Sequence, residues 1–428
     1  MMTIQEIHQI FLKCSSVSID TRKIKSNSFF IAIKGERFDA NTFAKEALEK
    51  GAYCVVIDNK DFYIDVRTIL VEDSLKFLQE LASFHRMYLK LPIIALTGSN
   101  GKTTTKELIN VVLSKKFNVK ATVGNLNNHI GVPLTLLSFD KDTEIGIVEM
   151  GANHQKEIEF LCQLAQPDYG YITNFGKAHL EGFGGVEGVI KGKSEMYDYL
   201  KIVNKAVFIN LDDSIQDTKT TDLKRFSFSQ SNSSATLYIE SVTANPFVVI
   251  KTCGVEISSH LIGKYNATNI DASILIGTHF EVPIVAIKDA IESYVPDNNR
   301  SQLISKGTNE IILDAYNANP SSMRVALDNF IRLEKSNKTI IIGDMYELGI
   351  ESLNEHGQIV DYLNNYNEID VYFIGKDFYQ NKKQGSIMKF YFSFDDFINK
   401  IDSIDLENKT ILIKGSRGMA LERILEYI

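Results

Sequence analysis

The sequence of 428 residues contains no tryptophan, only 7 prolines and only 4 cysteines. The cysteines are scattered without the spacing of a metal site, and there is no uninterrupted run of 18 apolar residues. The second absence predicts that no helix spans a membrane. We expect a cytoplasmic protein with reduced thiols, of which Cys54 and Cys162 lie in apolar runs and should be buried.

Positive charge is not in excess, because 46 Lys and Arg face 54 Asp and Glu, giving a net charge of −8. Binding to nucleic acid needs clustered positive charge, so we expect no nucleic-acid partner. An acidic chain that binds a nucleotide must concentrate lysine side chains, Mg²⁺ or helix ends at one site. The first residues, MMTIQEIHQIFLKC, place apolar side chains at helical spacing, which predicts an amphipathic helix and not a signal peptide.

The chain is too long for one hydrophobic core, so we expect two or three domains. Strand-like runs alternate with helical stretches along most of it, which predicts an α/β fold with parallel sheets covered on both faces. We place the domains at residues 1–88, 89–297 and 298–428. Residues 232–262 contain strand and turn signals without helices between them, which predicts a small antiparallel addition.

One segment, ALTGSNGKTTTKELI (residues 95–109), predicts a phosphate-binding loop. An apolar strand enters a loop formed by Gly98, Ser99, Asn100 and Gly101, and a helical pattern begins at Lys102. Glycines let the backbone turn and offer N–H groups to an anion, and the helix N-terminus adds unpaired donors. The Lys102 ammonium could reach the outer phosphates, and the next hydroxyl, of Thr103, could ligate Mg²⁺.

The segment departs from the standard P-loop pattern in one place. Leu96 stands where the pattern has its first glycine, and the only earlier loop glycine is Gly98. A glycine-rich turn without a ligand is the alternative, but the order of strand, loop, Lys-Thr and helix favours a P-loop.

Three further side chains could join the phosphate site. Glu149 ends the strand IGIVE, where a carboxylate suits Mg²⁺, although it could also face solvent. His179 lies in the glycine-rich loop TNFGKAHLEGFGG after another strand, and could be structural or a ligand. Lys193, in KGKSEM, is expected to open a helix, where it could be an ordinary solvated lysine.

Asparagine-rich segments indicate a polar, uncharged ligand. Residues 122–137, TVGNLNNHIGVPLTLL, include Asn125, Asn127 and Asn128, whose amides donate and accept hydrogen bonds, although turns also favour asparagine. Residues 314–323, DAYNANPSSM, repeat the pattern before a helix that Pro320 would open. Residues 414–418, KGSRG, are a plausible anion site at a strand end. The residues alone therefore predict a Mg²⁺-nucleotide enzyme that acts on a polar substrate.

Together these segments resemble the Mur ligases, the ATP-dependent amide-bond formers of peptidoglycan synthesis. The shortened P-loop TGSNGKTT is similar to theirs, and GNLNNHIGVP and YNANP are the most specific pieces. The other segments that carry the resemblance are SIDTRKIKSNSFFIAIKGERFDANTF, EMGANH, TNFGKAHLEGFG, GKYNATN, GDMYELG and KGSRG. They span residues 18 to 418, nearly the whole chain.

The resemblance implies an N-terminal uridine-nucleotide domain, a central P-loop ATPase domain with a parallel sheet and a C-terminal Rossmann-like domain. It implies ATP and Mg²⁺ as cofactors, and UDP-N-acetylmuramoyl-tripeptide and D-alanyl-D-alanine as substrates. The tripeptide carboxylate would attack the γ-phosphate of ATP to give an acyl phosphate, from which the dipeptide amine would displace phosphate. We expect a monomer, and the third residue of the tripeptide remains open between meso-diaminopimelate and lysine.

The resemblance also implies roles for individual residues. The P-loop residues from Gly98 to Thr104 would bind ATP, with Lys102 catalytic, and Asn266, Asn269 and Arg300 would lie near the nucleotide. Magnesium would be held by Thr103, Glu149, His179 and Lys193, with Lys193 carbamylated and both His179 and Lys193 serving catalysis. The implied substrate contacts are Asp20, Thr21, Arg22, Asn125, Asn128, Tyr316, Asn317, Asn319, Lys414 and Arg417.

One departure is Ala315, because this family often has a hydroxyl residue before the tyrosine of YNANP. Three alternatives stay open: another ligase of the same superfamily, a P-loop kinase or transport ATPase, and a catalytically silent relative. Shielding the acyl phosphate from water favours closure of the C-terminal domain on the central one. We expect the hinge near VPDNNRSQ (residues 295–302), with Arg417 approaching the phosphate site only on closure.

Overall fold

The structure, a computed structural model, describes residues 2–36, 38–297 and 299–428. Its strands form three separate sheets that follow one another along the chain. The expected α/β class is confirmed, because helices alternate with mostly parallel strands in each unit. Within the described residues no helix is long and apolar enough to cross a membrane.

The N-terminal unit is built on four parallel strands in the order β1-β2-β3-β4. These strands are β1 (Ser16–Ser18), β2 (Ser28–Ile31), β3 (Ala52–Ile57) and β4 (Thr68–Leu70). Its helices are α1 (Ile4–Phe11), α2 (Ala44–Glu49) and α3 (Ser74–Leu89). A capping box between Thr3 and Glu6 starts α1, so the expected amphipathic helix is confirmed.

The central unit has nine strands in the order β13-β12-β11-β10-β9-β8-β5-β7-β6. The strands are β5 (Ile93–Thr97), β6 (Val119–Ala121), β7 (Ile145–Glu149), β8 (Tyr169–Ile172), β9 (Ala206–Asn210), β10 (Lys224–Ser229), β11 (Leu237–Ala244), β12 (Phe247–Thr252) and β13 (Val255–Ile262). The helices are α4 (Lys102–Leu113), α5 (Gly131–Leu137), α6 (Glu157–Ala165), α7 (Leu180–Phe183), α8 (Val186–Ile202), α9 (Ser214–Lys219), α10 (Ala267–His279) and α11 (Ile284–Ser293).

Strand β5 lies between β7 and β8, where the order of the central sheet reverses. Ligands of open α/β sheets bind at the carboxyl ends of strands at such a point, and the P-loop follows β5 directly. All five residues of β5 are buried, as an apolar strand covered on both faces requires. The antiparallel addition is confirmed as β11–β13, but it extends the main sheet through β10.

The C-terminal unit has six strands in the order β14-β15-β19-β16-β17-β18, all parallel except β14. The strands are β14 (Gln302–Lys306), β15 (Asn309–Asp314), β16 (Lys338–Gly343), β17 (Asp370–Ile374), β18 (Lys389–Tyr391) and β19 (Thr410–Lys414). The helices are α12 (Pro320–Arg332), α13 (Ser352–Leu363), α14 (Lys376–Gln380) and α15 (Phe394–Ile398).

Helix α3 packs on α5 and α6, although all of it except Leu89 lies before the predicted boundary at residue 88. The Arg86 guanidinium, which is 9 % exposed, donates to the carbonyls of Ala165 and Gln166 and to the Asp168 carboxylate at 2.8 Å. Asp168 also accepts from the backbone N–H of Ile93 at the start of β5. The N-terminal and central units are therefore joined by a buried cation that reaches the strand carrying the P-loop.

Cys54 and Cys162 are buried, as expected from their apolar surroundings, and all four cysteines are free. Proline 320 occupies the first position of α12, as predicted, with Asn319 as its N-cap. The hinge segment 295–302 includes Asn298, which lies outside the described residues. The described part of this segment connects α11 to β14.

Candidate active site

The P-loop joins the buried end of β5 to the N-terminus of α4. Gly98 and Gly101 have φ angles of 145° and 81°, a region that side chains disfavour. A Cβ at Gly98 would lie 1.9 Å from Thr173 Oγ1, and one at Gly101 would lie 2.6 Å from Asn269 Oδ1. Both positions require glycine because of the backbone conformation and the close neighbours. The loop therefore has the shape of a P-loop, although it lacks the first glycine of the standard pattern.

The segment after β8 holds the loop from one side. Asn174 Oδ1 accepts from the backbone N–H of Asn100 at 3.2 Å, and the Thr173 hydroxyl donates to the Asn100 carbonyl at 2.6 Å. The Ser99 hydroxyl donates to the Gly176 carbonyl at 2.7 Å. Thr173 and Asn174 were not predicted as site residues, although their position at a strand end beside the P-loop was a signal for this role.

Lys102 folds back over its own loop. Its ammonium donates to the carbonyl of Gly98 at 2.7 Å and lies 3.5 Å from that of Ser99. Burial lowers the pKa of Lys102 from its usual value, and the nearby Glu149 carboxylate opposes this shift. These hydrogen bonds hold the Lys102 ammonium beside the turn where phosphate oxygens would lie.

Glu149 lies where β7 ends, 2 % exposed and held from two sides. The Thr103 hydroxyl donates to Oε2 at 2.9 Å, and the Asn127 amide donates to Oε1 at 2.8 Å. A hydroxyl and a carboxylate oxygen at the head of α4 are the hard donors that Mg²⁺ prefers. The donor set therefore fits the cation, and the position predicted for Glu149 at the P-loop is correct.

No cluster of three or more His, Cys, Asp or Glu side chains that could hold a metal occurs in residues 2–36, 38–297 and 299–428. A cation at the P-loop would therefore rely on hydroxyl and phosphate oxygens in addition to Glu149. His179 faces the same cavity but adopts a φ of 52°, and its Nδ1 lies against the Glu347 carboxylate of the C-terminal unit.

Lys193 corrects the expectation of a helix start, because it lies in the middle of α8. It is 1 % exposed, and its Nζ lies 5.3 Å from the centroid of the Phe183 ring. Burial, with the charge of Lys102 as a second cause, lowers its pKa well below the usual value. The described residues offer its Nζ no hydrogen bond or ion pair, so this lysine is not a solvated one.

Asn266 and Asn269 form a buried pair at the start of α10. The Asn269 amide donates to Asn266 Oδ1 at 2.8 Å, and its own Oδ1 accepts from the Thr105 hydroxyl at 3.1 Å. The pair is thereby fixed to the P-loop helix, and both residues line the cavity.

The C-terminal unit supplies the opposite wall of the cavity. The Arg300 guanidinium stacks 3.6 Å from the centroid of the Tyr316 ring, a cation–π contact. Lys414, 1 % exposed, donates to Asp314 Oδ2 at 2.6 Å and to the Asn317 carbonyl at 3.2 Å.

Ala315, the position of the missing hydroxyl, is fully buried in the apolar cluster of the C-terminal sheet. A hydroxyl contact from this position is therefore absent in this chain.

These surfaces enclose one cavity of about 1190 Å³ where the three units meet. It is lined by most of the predicted site residues, namely Ser99, Asn100, Gly101, Lys102, Thr103, Thr104, Asn125, Asn128, Glu149, His179, Asn266, Asn269, Arg300, Tyr316, Asn317, Asn319 and Lys414. Residues that were not predicted also line it, among them Gln79 from α3, Phe160 and Tyr265. Gln79 shows that the N-terminal unit reaches the cavity through its last helix.

Some predicted residues do not line this cavity, among them Gly98 of the P-loop and the buried Lys193. Asp20, Thr21 and Arg22 lie on the N-terminal unit, where the Arg22 guanidinium donates to the Asp20 carboxylate. Arg417 pairs with Glu422 at 3.0 Å and its guanidinium lies 5.8 Å from the Tyr316 ring centroid. Their substrate-binding roles stay predictions.

Three α/β units around a P-loop cavity, with the Glu149 carboxylate beside the loop, are the arrangement of a nucleotide-dependent enzyme. Three family profiles match the chain: "Mur ligase family, catalytic domain" over residues 13–86, "Mur ligase middle domain" over residues 96–277 and "Mur ligase, glutamate ligase domain" over residues 299–417. The chain belongs to the Mur ligase family.

Curated relatives and solved structures narrow the similarity. The UDP-N-acetylmuramoyl-tripeptide–D-alanyl-D-alanine ligase of Bacillus subtilis (strain 168) is 32% identical, covering 96% of this chain and 92% of that protein. The enzyme of that name from Escherichia coli (strain K12) is 31% identical, with 99% and 95% covered. A crystal structure of MurF from Acinetobacter baumannii matches with a TM-score of 0.86 at 27% identity over 100% and 99% of the chains. MurF ligase from Thermotoga maritima in complex with ADP gives 0.83 at 26% identity over 97% of each.

Proposed function

We propose that this chain joins D-alanyl-D-alanine to UDP-N-acetylmuramoyl-tripeptide with cleavage of ATP, in peptidoglycan precursor synthesis. The observation that carries the proposal is the full-length similarity to ligases of that name, combined with a P-loop cavity to which all three units contribute. We also propose the domain division 1–88, 89–297 and 298–428, which the three sheets support. The enzyme acts as a cytoplasmic monomer.

In the first step, the terminal carboxylate of the tripeptide attacks the γ-phosphorus of ATP, giving an acyl phosphate and ADP. In the second, the dipeptide amine attacks the acyl carbon, and phosphate leaves as the amide forms. Lys102 and the N–H groups at the head of α4 stabilise charge on the transferring phosphoryl oxygens. Asn266, Asn269 and Arg300 hold the nucleotide in the wall of the cavity.

Magnesium would be held by Thr103 and Glu149 beside the P-loop, with His179 and carbamylated Lys193 at a second position. When bound, the cation neutralises charge on the phosphates and fixes their geometry. The Glu149 carboxylate is already oriented for this by its bonds to Thr103 and Asn127. A buried Lys193 amine without a hydrogen-bond partner among the described residues supports carbamylation, because the modification turns this amine into an anionic ligand.

All three units contact the substrates. Asp20, Thr21 and Arg22 bind the uridine nucleotide, and Asn125 and Asn128 contact the peptide within the cavity. Tyr316, Asn317, Asn319, Lys414 and Arg417 line or approach the opposite wall, and closure of the C-terminal domain brings them onto the reacting groups. Small-angle scattering with and without nucleotide and UDP-peptide tests this closure. Identical profiles of an already compact protein would count against a hinge.

The test of the activity is phosphate release from ATP with a panel of substrates. We expect release only when both the UDP-tripeptide and D-alanyl-D-alanine are present, and the tripeptide that supports it identifies its third residue. Release with neither peptide would indicate a kinase or transport ATPase, and release with a different acceptor would indicate another ligase of the superfamily. The Lys102→Ala variant is the matched control for contaminating ATPase.

A further inference from the structure

The C-terminal unit contacts the loop that carries His179 at several points. The Lys177 backbone N–H donates to the Ser321 hydroxyl at 2.8 Å, and the Lys177 ammonium donates to Glu355 at 2.6 Å. Two residues beyond His179, the backbone N–H of Glu181 lies 3.4 Å from the carbonyl of Glu347. The position of this loop therefore depends on where the C-terminal unit lies.

At the same domain contact, the Glu347 carboxylate lies against Nδ1 of His179. Because Nδ1 is engaged by the C-terminal unit, Nε2 is the nitrogen that remains for a ligand in the cavity that His179 lines.

The segment that carries Glu347 is held by hydrogen bonds. The side-chain carboxylate of Asp344 accepts from the backbone N–H groups of Asp377 and Phe378. The backbone N–H of Met345 donates to His356 Nε2, and that of Tyr346 donates to the Ser416 hydroxyl. Both His179 and Glu347 have positive φ angles, 52° and 63°, which their surroundings must maintain. These hydrogen bonds hold the segment that places the Glu347 carboxylate beside the imidazole of His179.

We propose that Glu347 is a positioning residue, which fixes the His179 ring through Nδ1 and thereby presents Nε2 to a divalent cation in the cavity. A carboxylate on the second nitrogen of a metal-binding histidine sets its tautomer and orientation. The proposal rests on the proposed function, because it takes His179 as a magnesium ligand. It adds that the ligand is oriented from the other domain, so the second cation site is complete only when the C-terminal unit is docked.

The test compares Glu347→Ala and Glu347→Gln with Glu351→Ala, an exposed glutamate of the same segment, as the matched control. Nitrogen NMR of the full-length protein, labelled at histidine and assigned with His179→Ala, reads the ring tautomer at one fixed pH. Glu347→Ala should lose the single Nδ1–H tautomer, whereas Glu347→Gln, whose amide oxygen can still accept, should retain it. A retained tautomer in Glu347→Ala would overturn the proposal.

A second readout is the affinity for Mn²⁺, measured by electron paramagnetic resonance with a non-hydrolysable ATP analogue. Loss of such an outer contact costs about 10- to 100-fold in metal affinity, so Glu347→Ala should weaken Mn²⁺ binding by that factor. The loss should vanish in a His179→Ala background, because the contact acts through that ring. Equal losses in both backgrounds would show that Glu347 acts elsewhere.

The two proposals fail in different ways. If the UDP-tripeptide and D-alanyl-D-alanine give no phosphate release, the proposed function fails, while the tautomer and Mn²⁺ readouts still report on Glu347. If the ligase activity is present but Glu347→Ala matches Glu351→Ala in tautomer and Mn²⁺ affinity, only the positioning role is wrong.

Discussion

The Asn319 amide donates to Asn100 Oδ1 at 2.7 Å, joining the N-cap of α12 to the P-loop across the domain interface. The same asparagine caps α12, because its Oδ1 accepts from the backbone N–H of Ser322. One side chain therefore starts a helix of the C-terminal unit and holds the loop that would receive phosphate.

These two roles of Asn319 can be separated by substitution. Serine is also a good N-cap but is too short to reach Asn100, so Asn319→Ser should keep its stability yet lose about 2- to 10-fold in kcat/KM for ATP. Asn319→Ala should in addition lose about 1 kcal/mol of stability. Steady-state kinetics with thermal unfolding checks both. Ser393→Ala, which removes only the cap of α15, is the control, and unchanged kinetics in Asn319→Ser would disprove the P-loop role.

Removal of the Lys102 ammonium should affect chemistry and spare folding. We expect Lys102→Ala to lower kcat by about 100-fold or more, the cost of losing one preorganised donor to a developing charge. Lys115→Ala, just beyond the end of α4, removes a lysine that pairs with Asp289 near the surface and should leave kcat unchanged. Turnover by Lys102→Ala close to that of Lys115→Ala would contradict the P-loop assignment.

Lys193 should be carbamylated and essential. Lys193→Ala should be nearly inactive, and short-chain carboxylic acids that replace the carbamate should restore part of the rate. Lys191→Ala, two residues away on the exposed face of α8, is the matched control and should remain active without added acid. An unmodified lysine in a high-resolution map of the Mg²⁺-bound protein, together with an active Lys193→Ala variant, would refute this.

Two buried histidines between the N-terminal and central units should make stability depend on pH. His8 Nε2 lies 2.9 Å from His85 Nδ1, and His85 Nε2 lies 2.9 Å from the Phe139 carbonyl. Because His85 donates to Phe139, His8 donates to His85, and Nδ1 of His8 is a buried acceptor without a partner among the described residues. This chain of bonds requires His85 to be neutral because its Nδ1 accepts, whereas His8 is disfavoured as a cation by its burial.

Burial, with the neighbouring His85 as a second cause, lowers the pKa of His8 from 6.5 to about 4. The unfolded chain binds the proton first, so stability is full above pH 6.5 and falls as the pH drops towards 4. The slope from this group is at most about 1.4 kcal/mol per pH unit. Urea midpoints between pH 7 and 4.5 should show a shallower loss in His8→Gln, which still donates to His85, than in the exposed-site control His260→Gln. Equal slopes would exclude His8 as the source.

The parts that sequence predicted are those set by local pattern. The strand, glycines and Lys-Thr pair fix the P-loop within ten residues, and the carboxylate of Glu149 follows from its place at a strand end. The capped helix α12 is predictable because Asn319 and Pro320 adjoin. Such features need no knowledge of the rest of the chain.

The parts that sequence missed depend on distant partners. Asn100 and Asn319 are 219 residues apart, and nothing in the sequence around either residue predicts that it bonds to the other. Lys193 was expected to open a helix, whereas α8 begins at Val186, and Gly192 inside that helix packs against the Phe183 ring. The uridine motif was predicted from resemblance alone, and the sheet order that keeps it away from the P-loop cavity has no local signature.

The hydrogen bonds from Arg86 to the central unit have a consequence for the length of substrate that the enzyme can accept. They hold the N-terminal unit at a fixed distance from β5 and its P-loop. A substrate bound by its uridine at the proposed N-terminal site would therefore have to span one constant length to bring its carboxylate to the phosphate. Each residue of an extended peptide adds about 3.5 Å. A UDP-dipeptide held by its uridine would therefore leave its carboxylate about that far short of the phosphate, and the molecule would reject it by reach and not by recognition of a side chain.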